Sequence, residues 1–301
     1  MKKVPNFLIA GLPKCGTTSM HHYLKHHPQI FLPSQKELHY FTHDILSKNV
    51  QGPRDAAVNK YHAANWDQYA QFYSFVDKEI AIGDVSPSYA SYPECFPIIK
   101  EKLGQVKVIV LLRDPINRAY SNYLHLVREK REKLSFEQAM SEEENRQKQG
   151  YSDFWRYAYN STYSDKVQAI KDSFDEVLVI PFELFVADKY NQLTRIFKFL
   201  GIQSDFIPPN IEERFNEGGT YQDNAITSFL HGHSPVKDFI KKVIPVDYSS
   251  FKAKILSKFR KANPQLQDDT IRKLIPFFKS DVLRLKKELG VDISLWRDYN
   301  G

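Results

Sequence analysis

Short, largely apolar runs recur along the chain at Phe7–Ala10, Ile80–Val85, Val106–Leu112 and Val177–Phe182. Each is the length of a strand, and the β-branched Val106–Leu112 run predicts a parallel strand buried on both faces. Ile30-Phe31-Leu32, set between Pro28 and Pro33, predicts a shorter strand. Helix-compatible segments fall between these runs. One starts at Thr17, and another, Trp66–Tyr73, carries an aromatic face that reads as core. Pro115 favours a helix start directly after the third apolar run. Ser135–Glu144 opens on a cap-like serine and reads as a solvated helix. Ser164–Phe174 and Tyr190–Leu200 are amphipathic, the latter stopped by Gly201. The last helix, Asp268–Gly290, places Ile271, Leu274, Phe278, Val282 and Leu285 at helical spacing. Residues 44–65 are polar and read as a loop.

The break after the first apolar run carries chemistry. Gly11-Leu12-Pro13-Lys14-Cys15-Gly16 leads into Thr17-Thr18-Ser19. A glycine-bracketed loop lets the backbone approach an oxyanion, and the helix start offers unpaired N–H groups with partial positive charge. Lys14 adds a full charge, so the stretch reads as a phosphate site; a plain strand–turn–helix is the alternative. The loop nearly matches G-x-x-x-x-G-K-[ST], but Thr17 stands where that motif has its lysine.

Composition narrows the class. The 301 residues suit one large α/β domain, taken as 1–301, or two small ones, and a net charge of +6 favours anionic ligands without requiring nucleic acid. Cys15 and Cys95 cannot form a disulfide framework, which fits a reducing compartment. No run is long enough to span a membrane, and Met1–Asn6 leads straight into a core strand without the pattern of a signal peptide. His21, His22, His26 and His27 invite a metal reading, but Lys25 interrupts them and no carboxylate lies nearby in sequence; no metal is expected.

A second constellation follows Val106–Leu112. Arg113 sits at the C-terminal end of the strand, where open α/β sheets bind ligands. Arg118, Ser121, Asn122 and His125 fall on adjacent turns of the next helix, with Ser121 and His125 four apart on one face. Arginine forks bidentately onto phosphate, and a serine hydroxyl can complete the site. His125 also reads as an ordinary structural histidine. Lys36-Glu37 reads either as a solvated pair or as a lysine beside a candidate general base.

Pro13-Lys14-x-Gly16-Thr17-Thr18-Ser19 resembles the 5′-phosphosulfate loop of sulfotransferases that use PAPS (3′-phosphoadenosine 5′-phosphosulfate). Lys36-Glu37-x-x-x-Phe41 resembles their base segment, and Arg113-Asp-Pro-x-x-Arg118-Ala-Tyr-Ser121 their 3′-phosphate segment. Gly83-Asp84-x-Ser86-Pro87-x-Tyr89 resembles their Gly-Glu-x-Ser-Pro-x-Tyr, with Val85 where glycosaminoglycan enzymes often carry lysine. With His125 included, the pattern is most similar to heparan sulfate N-sulfotransferase domains. The likeness covers nearly the whole chain and weakens after residue 205.

The resemblance implies a P-loop-like central parallel sheet flanked by helices, with the donor at the strand C-termini. It implies in-line transfer of a sulfuryl group from PAPS, leaving PAP, to a hydroxyl or amine of a glycosaminoglycan-like carbohydrate. Glu37 is then the base, Lys14 and His125 are catalytic, and Lys14, Cys15, Gly16, Thr17, Thr18, Ser19, Arg113 and Ser121 hold the donor. Arg214 stands in for a missing Lys-Gly-Arg signature, and Tyr163 is expected near the donor or acceptor. The expected setting is the bacterial cytoplasm, or a catalytic fragment of a Golgi enzyme. Two other readings stay open: a P-loop kinase, and a non-catalytic polyanion-binding module using the lysine-rich stretch Lys237–Lys261.

Overall fold

Phe7–Gly11 (β1) is buried along its whole length and forms the centre of a five-stranded sheet. The computed structural model describes residues 3–58, 61–213, 215, 220–221 and 260–299. The other strands are Ile30–Phe31 (β2), Ala81–Val85 (β3), Lys107–Leu112 (β4) and Val177–Pro181 (β5), in the order β2-β3-β1-β4-β5 with every neighbour parallel. Phe7 pairs with Gly83 on one side and Lys107 on the other; β3 ends opposite Ile9, while β4 runs two residues past the partner of Gly11. A parallel sheet needs crossovers that cover its faces, which is why these strands are apolar on both sides.

The longer helices supply that cover. They are Thr17–Leu24 (α1), Phe96–Leu103 (α2), Pro115–Arg128 (α3), Ser164–Ser173 (α4), Lys189–Leu200 (α5) and Asp268–Lys287 (α6). Asp114 caps α3 by accepting from Asn117 N–H at 2.9 Å, and Gly201 closes α5 at φ 76°. On α6, Phe278, Val282 and Leu285 are fully buried, one stripe of the predicted helical spacing. Among the described residues no helix is long and apolar enough to cross a membrane.

Two segments depart from expectation. Ser135–Glu144 is not one solvated helix: a capping box of Ser135 and Gln138 starts Phe136–Ser141, and a second helix runs Glu143–Lys148. Glu143 turns inward to accept from Ala158 and Tyr159 N–H, and Arg146 is buried against Glu132 and Tyr157. Residues 44–65 are likewise not a plain loop: they include most of the short helix His43–Leu46 and all of Asp55–Val58, and Asp55 is a buried carboxylate. Asp55 accepts from Ser152 N–H and Oγ–H, from Trp155 Nε1–H and from Arg131.

Candidate active site

The loop between β1 and α1 is shaped by its glycines and by Lys14. Gly16 has φ 91°, and a Cβ there would lie 2.6 Å from the Phe182 ring, so only glycine fits. A Cβ on Gly11 would lie 2.5 Å from Ala90 Cβ, which packs the loop onto the turn after β3. Lys14 also takes a positive φ, 72°. Gly16 caps α1 without any side-chain hydrogen bond, so among the described residues no side-chain oxygen caps the N–H groups of the first turn. Ser19 donates its hydroxyl to Phe215 carbonyl at 3.4 Å.

Cationic side chains converge on this loop. From the end of β4, Arg113 donates through Nη1 to Lys14 carbonyl at 3.3 Å and lies over the Phe182 ring. From α3, the fully buried Arg118 donates to Pro13 carbonyl at 3.0 Å and Tyr157 carbonyl at 3.4 Å. Among the described residues, Arg113 Nε and Arg118 Nη2 are buried without a hydrogen-bond partner. Lys14 Nζ lies 3.4 Å from His125 Nδ1, which Arg128 Nη2 also approaches at 2.9 Å. Burial, then the charges of Arg128, Arg118 and Arg113, push the Lys14 ammonium down to about 7. Glu129 offsets part of that charge, and the cationic excess around Lys14 suits a further anion. The cluster's orphaned N–H groups fit the phosphates of a nucleotide donor.

His125 is half-buried on α3, one turn after the half-buried Ser121. Its Nε2 faces Glu129 Oε1 at 3.3 Å, and burial holds its pKa below the ordinary value. Burial alone would raise Glu129, but the hydrogen bond from His125 and the charge of Arg131 hold it at about 2.

Glu37 stands on the other side of β1. Its N–H donates to Val85 carbonyl at 2.8 Å, at the end of β3, and its backbone has φ 63°. His39 stitches the segment to the turn after β3, through N–H to Ser86 Oγ and Nδ1 to Ser88 Oγ. The Glu37 carboxylate is paired with Lys36, whose ammonium burial pushes down to about 8. The structure thus places Lys14, Arg113 and His125 in one cluster, and Glu37 at the end of β3, on the other side of β1 from β4.

Other expected residues take supporting places. Cys15 does not face outward as a donor contact: its N–H donates to Leu12 carbonyl at 3.2 Å, and burial pushes its thiol up to about 12. Tyr163 is buried, holding Arg113 carbonyl through its hydroxyl at 2.9 Å, which makes it a brace for the arginine. Asp84, the acid of the Gly-Asp-x-Ser-Pro motif, is buried under hydroxyls from Tyr69, Ser86 and Tyr89. His21 and His27 each use Nε2 on a backbone carbonyl, of Pro33 and Gln203. Arg214 and most of Lys237–Lys261 lie outside the described residues; Glu213 and Phe215, on either side of Arg214, rest against Tyr23 and His22 of α1.

Phe182, Arg128 and Glu129 escape sequence reading. Arg128 and Glu129 do carry a signal, three and four residues after His125 on one helix, but they open a charged run that reads as solvent-facing.

Comparison with known proteins agrees with this geometry. A family model described as "Sulfotransferase family" matches residues 5–206. A crystal structure of a sulfotransferase from Alicyclobacillus acidocaldarius superposes with a TM-score of 0.77 at 30% identity, covering 98% of this chain and 100% of that one. Among curated proteins, "Membrane-associated sulfotransferase kil1" of Dictyostelium discoideum is 34% identical over 123 residues, 40% of this chain and 22% of its own length. "Carbohydrate sulfotransferase 15" of Mus musculus is 27% identical over 173 residues, 47% of this chain and 31% of its own length. The chain therefore spans less than a third of each of these two curated relatives. With most of its length matched by the family model and its fold shared with a solved member, this chain belongs to the sulfotransferase family.

Proposed function

We propose that residues 1–301 form one PAPS-dependent enzyme that sulfates a carbohydrate hydroxyl or amine in a glycosaminoglycan-like polysaccharide. The observation that carries the donor assignment is the convergence of Lys14, Arg113, Arg118 and Arg128 on the uncapped start of α1. PAPS brings a sulfuryl group bonded to a 5′-phosphate leaving group. The N–H groups and hydroxyls of Gly16, Thr17, Thr18 and Ser19 hold that phosphate, and Lys14 stabilises the charge that grows on the bridging oxygen. Arg113 and Ser121 take the 3′-phosphate, which separates PAPS from ATP. Cys15 keeps the loop folded. Glu37 removes the acceptor proton from the β3 side while His125 lies on the β4 side, so the loop sits between the two.

A sulfuryl group carries less charge than a phosphoryl group, so lysine and backbone dipoles serve where a kinase needs Mg²⁺. The carbohydrate acceptor is supported by the motif likeness and by the carbohydrate sulfotransferase among the relatives. The test is transfer of radiolabelled sulfate from PAPS to a panel of N- and O-desulfated polysaccharides, with and without chelator. Label enters a polysaccharide equally in both conditions and is lost in Glu37→Gln. Label that enters no carbohydrate refutes the acceptor, and turnover abolished by chelation refutes the metal-free chemistry.

A further inference from the structure

The side chains around His125 assign more than its position. Nδ1 is approached by Arg128 Nη2 at 2.9 Å and by Lys14 Nζ at 3.4 Å. Guanidinium has donors only, so Nδ1 must present its lone pair, and the single proton of the neutral ring sits on Nε2. That nitrogen faces Glu129 Oε1 at 3.3 Å. Phe154 meets the ring edge-on at 5.4 Å and carries no charge. Among the described residues, Lys14 from the loop and Arg128 and Glu129 from the end of α3 are the charged groups facing this ring.

Glu129 is itself anchored. Its second oxygen accepts from Arg131 Nη1 at 3.2 Å, and Arg54 Nη1 donates to its carbonyl at 3.1 Å. Arg131 is buried, bonded to Asp55 and to Pro53 carbonyl, and lies 5.2 Å over Trp155. This row of charges has no need to be buried for stability alone, because a buried ion pair returns little net free energy. It does hold one carboxylate oxygen at one place beside one imidazole nitrogen.

We propose that Glu129 is a positioning residue: it accepts the hydrogen bond from His125 Nε2–H and so keeps the Nδ1 lone pair turned toward Arg128 and Lys14. The bare Nδ1 accepts from Arg128 at 2.9 Å and faces Lys14 at 3.4 Å, the two cations beside it. The catalytic use of His125 and Lys14 rests on the function proposed above, but the ring's tautomer does not.

The experiment is nitrogen-15 NMR of the histidine rings in the whole, donor-free protein at pH 7.5, with His125 assigned by its loss in His125→Gln. The expected spectrum shows Nε2 protonated and Nδ1 bare. Glu129→Leu removes the protected Nε2–H signal and lowers turnover about 10- to 100-fold with donor KM unchanged. Glu129→Gln, which keeps an acceptor oxygen, restores the signal and most of the turnover. A proton on Nδ1 or on both nitrogens in the wild type overturns the proposal. So does a Glu129→Leu protein whose ring signal and turnover match the wild type. A correct tautomer in a protein that transfers no sulfate would sink the functional reading and leave this assignment standing.

Discussion

Lys14 and Gly16 carry the most specific expectations at the scale of single residues. With its ammonium pushed down to about 7, Lys14 is mostly neutral in the anion-free protein at pH 8. A bound phosphate raises it again, so PAP binding takes up a proton at pH 8, and the Lys14-dependent part of that uptake shrinks as pH falls below 7. Calorimetry in buffers of different ionisation heat measures the uptake; it disappears in Lys14→Met, and its persistence there would contradict the assignment. At Gly16 an added methyl meets both a left-handed φ and the Phe182 ring. Gly16→Ala therefore costs about 1–3 kcal/mol and weakens PAP binding, read by urea unfolding and titration. Wild-type stability in that variant would mean the loop is not packed as described. Lys14, Gly16, Arg113 and His125 are legible in the sequence because strand-end loops and helix starts are local patterns. Arg118's role as a buried prop is not, since its partners Pro13 and Tyr157 lie 105 and 39 residues away.

At the scale of elements, the helix that carries the site depends on one carboxylate. Asp114 caps α3, accepts from Tyr299 hydroxyl at 3.1 Å and pairs with Arg297 at 3.3 Å. Asp114→Ala removes all of these and costs about 2–4 kcal/mol, with PAP affinity falling as Arg113 loses its fixed neighbour. Denaturant unfolding gives the cost, and a loss below about 0.5 kcal/mol would show that the cap is dispensable. The Pro115 start of α3 and the Gly201 stop of α5 are readable because proline and glycine impose backbone geometry wherever they stand. The split of residues 135–148 into two helices is not. Glutamates that look solvated are drawn inward at Glu143 by the Ala158 and Tyr159 N–H groups, partners that no local period reveals.

At the scale of the molecule, the strand order decides which functions separate. Glu37 hangs on the end of β3 while Arg113 and His125 follow β4, with β1 and its loop between them. Donor binding and proton removal should therefore uncouple: Glu37→Gln keeps the PAP dissociation constant within about twofold while turnover falls about 10²- to 10⁴-fold. Parallel loss of both would place Glu37 in the donor site instead. The sheet is legible because its strands are short, largely apolar runs, interrupted only where Asp84 sits in β3 and Lys107 opens β4. Its order is not, because nothing in one strand names its neighbour.

The most direct measurement is calorimetric binding of PAP against 5′-AMP and ATP, in the absence of magnesium. PAP binds tighter than 5′-AMP by about tenfold or more, and Arg113→Ala removes that advantage. A preference for ATP, or no nucleotide binding, would contradict a two-phosphate donor site at Lys14 and Arg113.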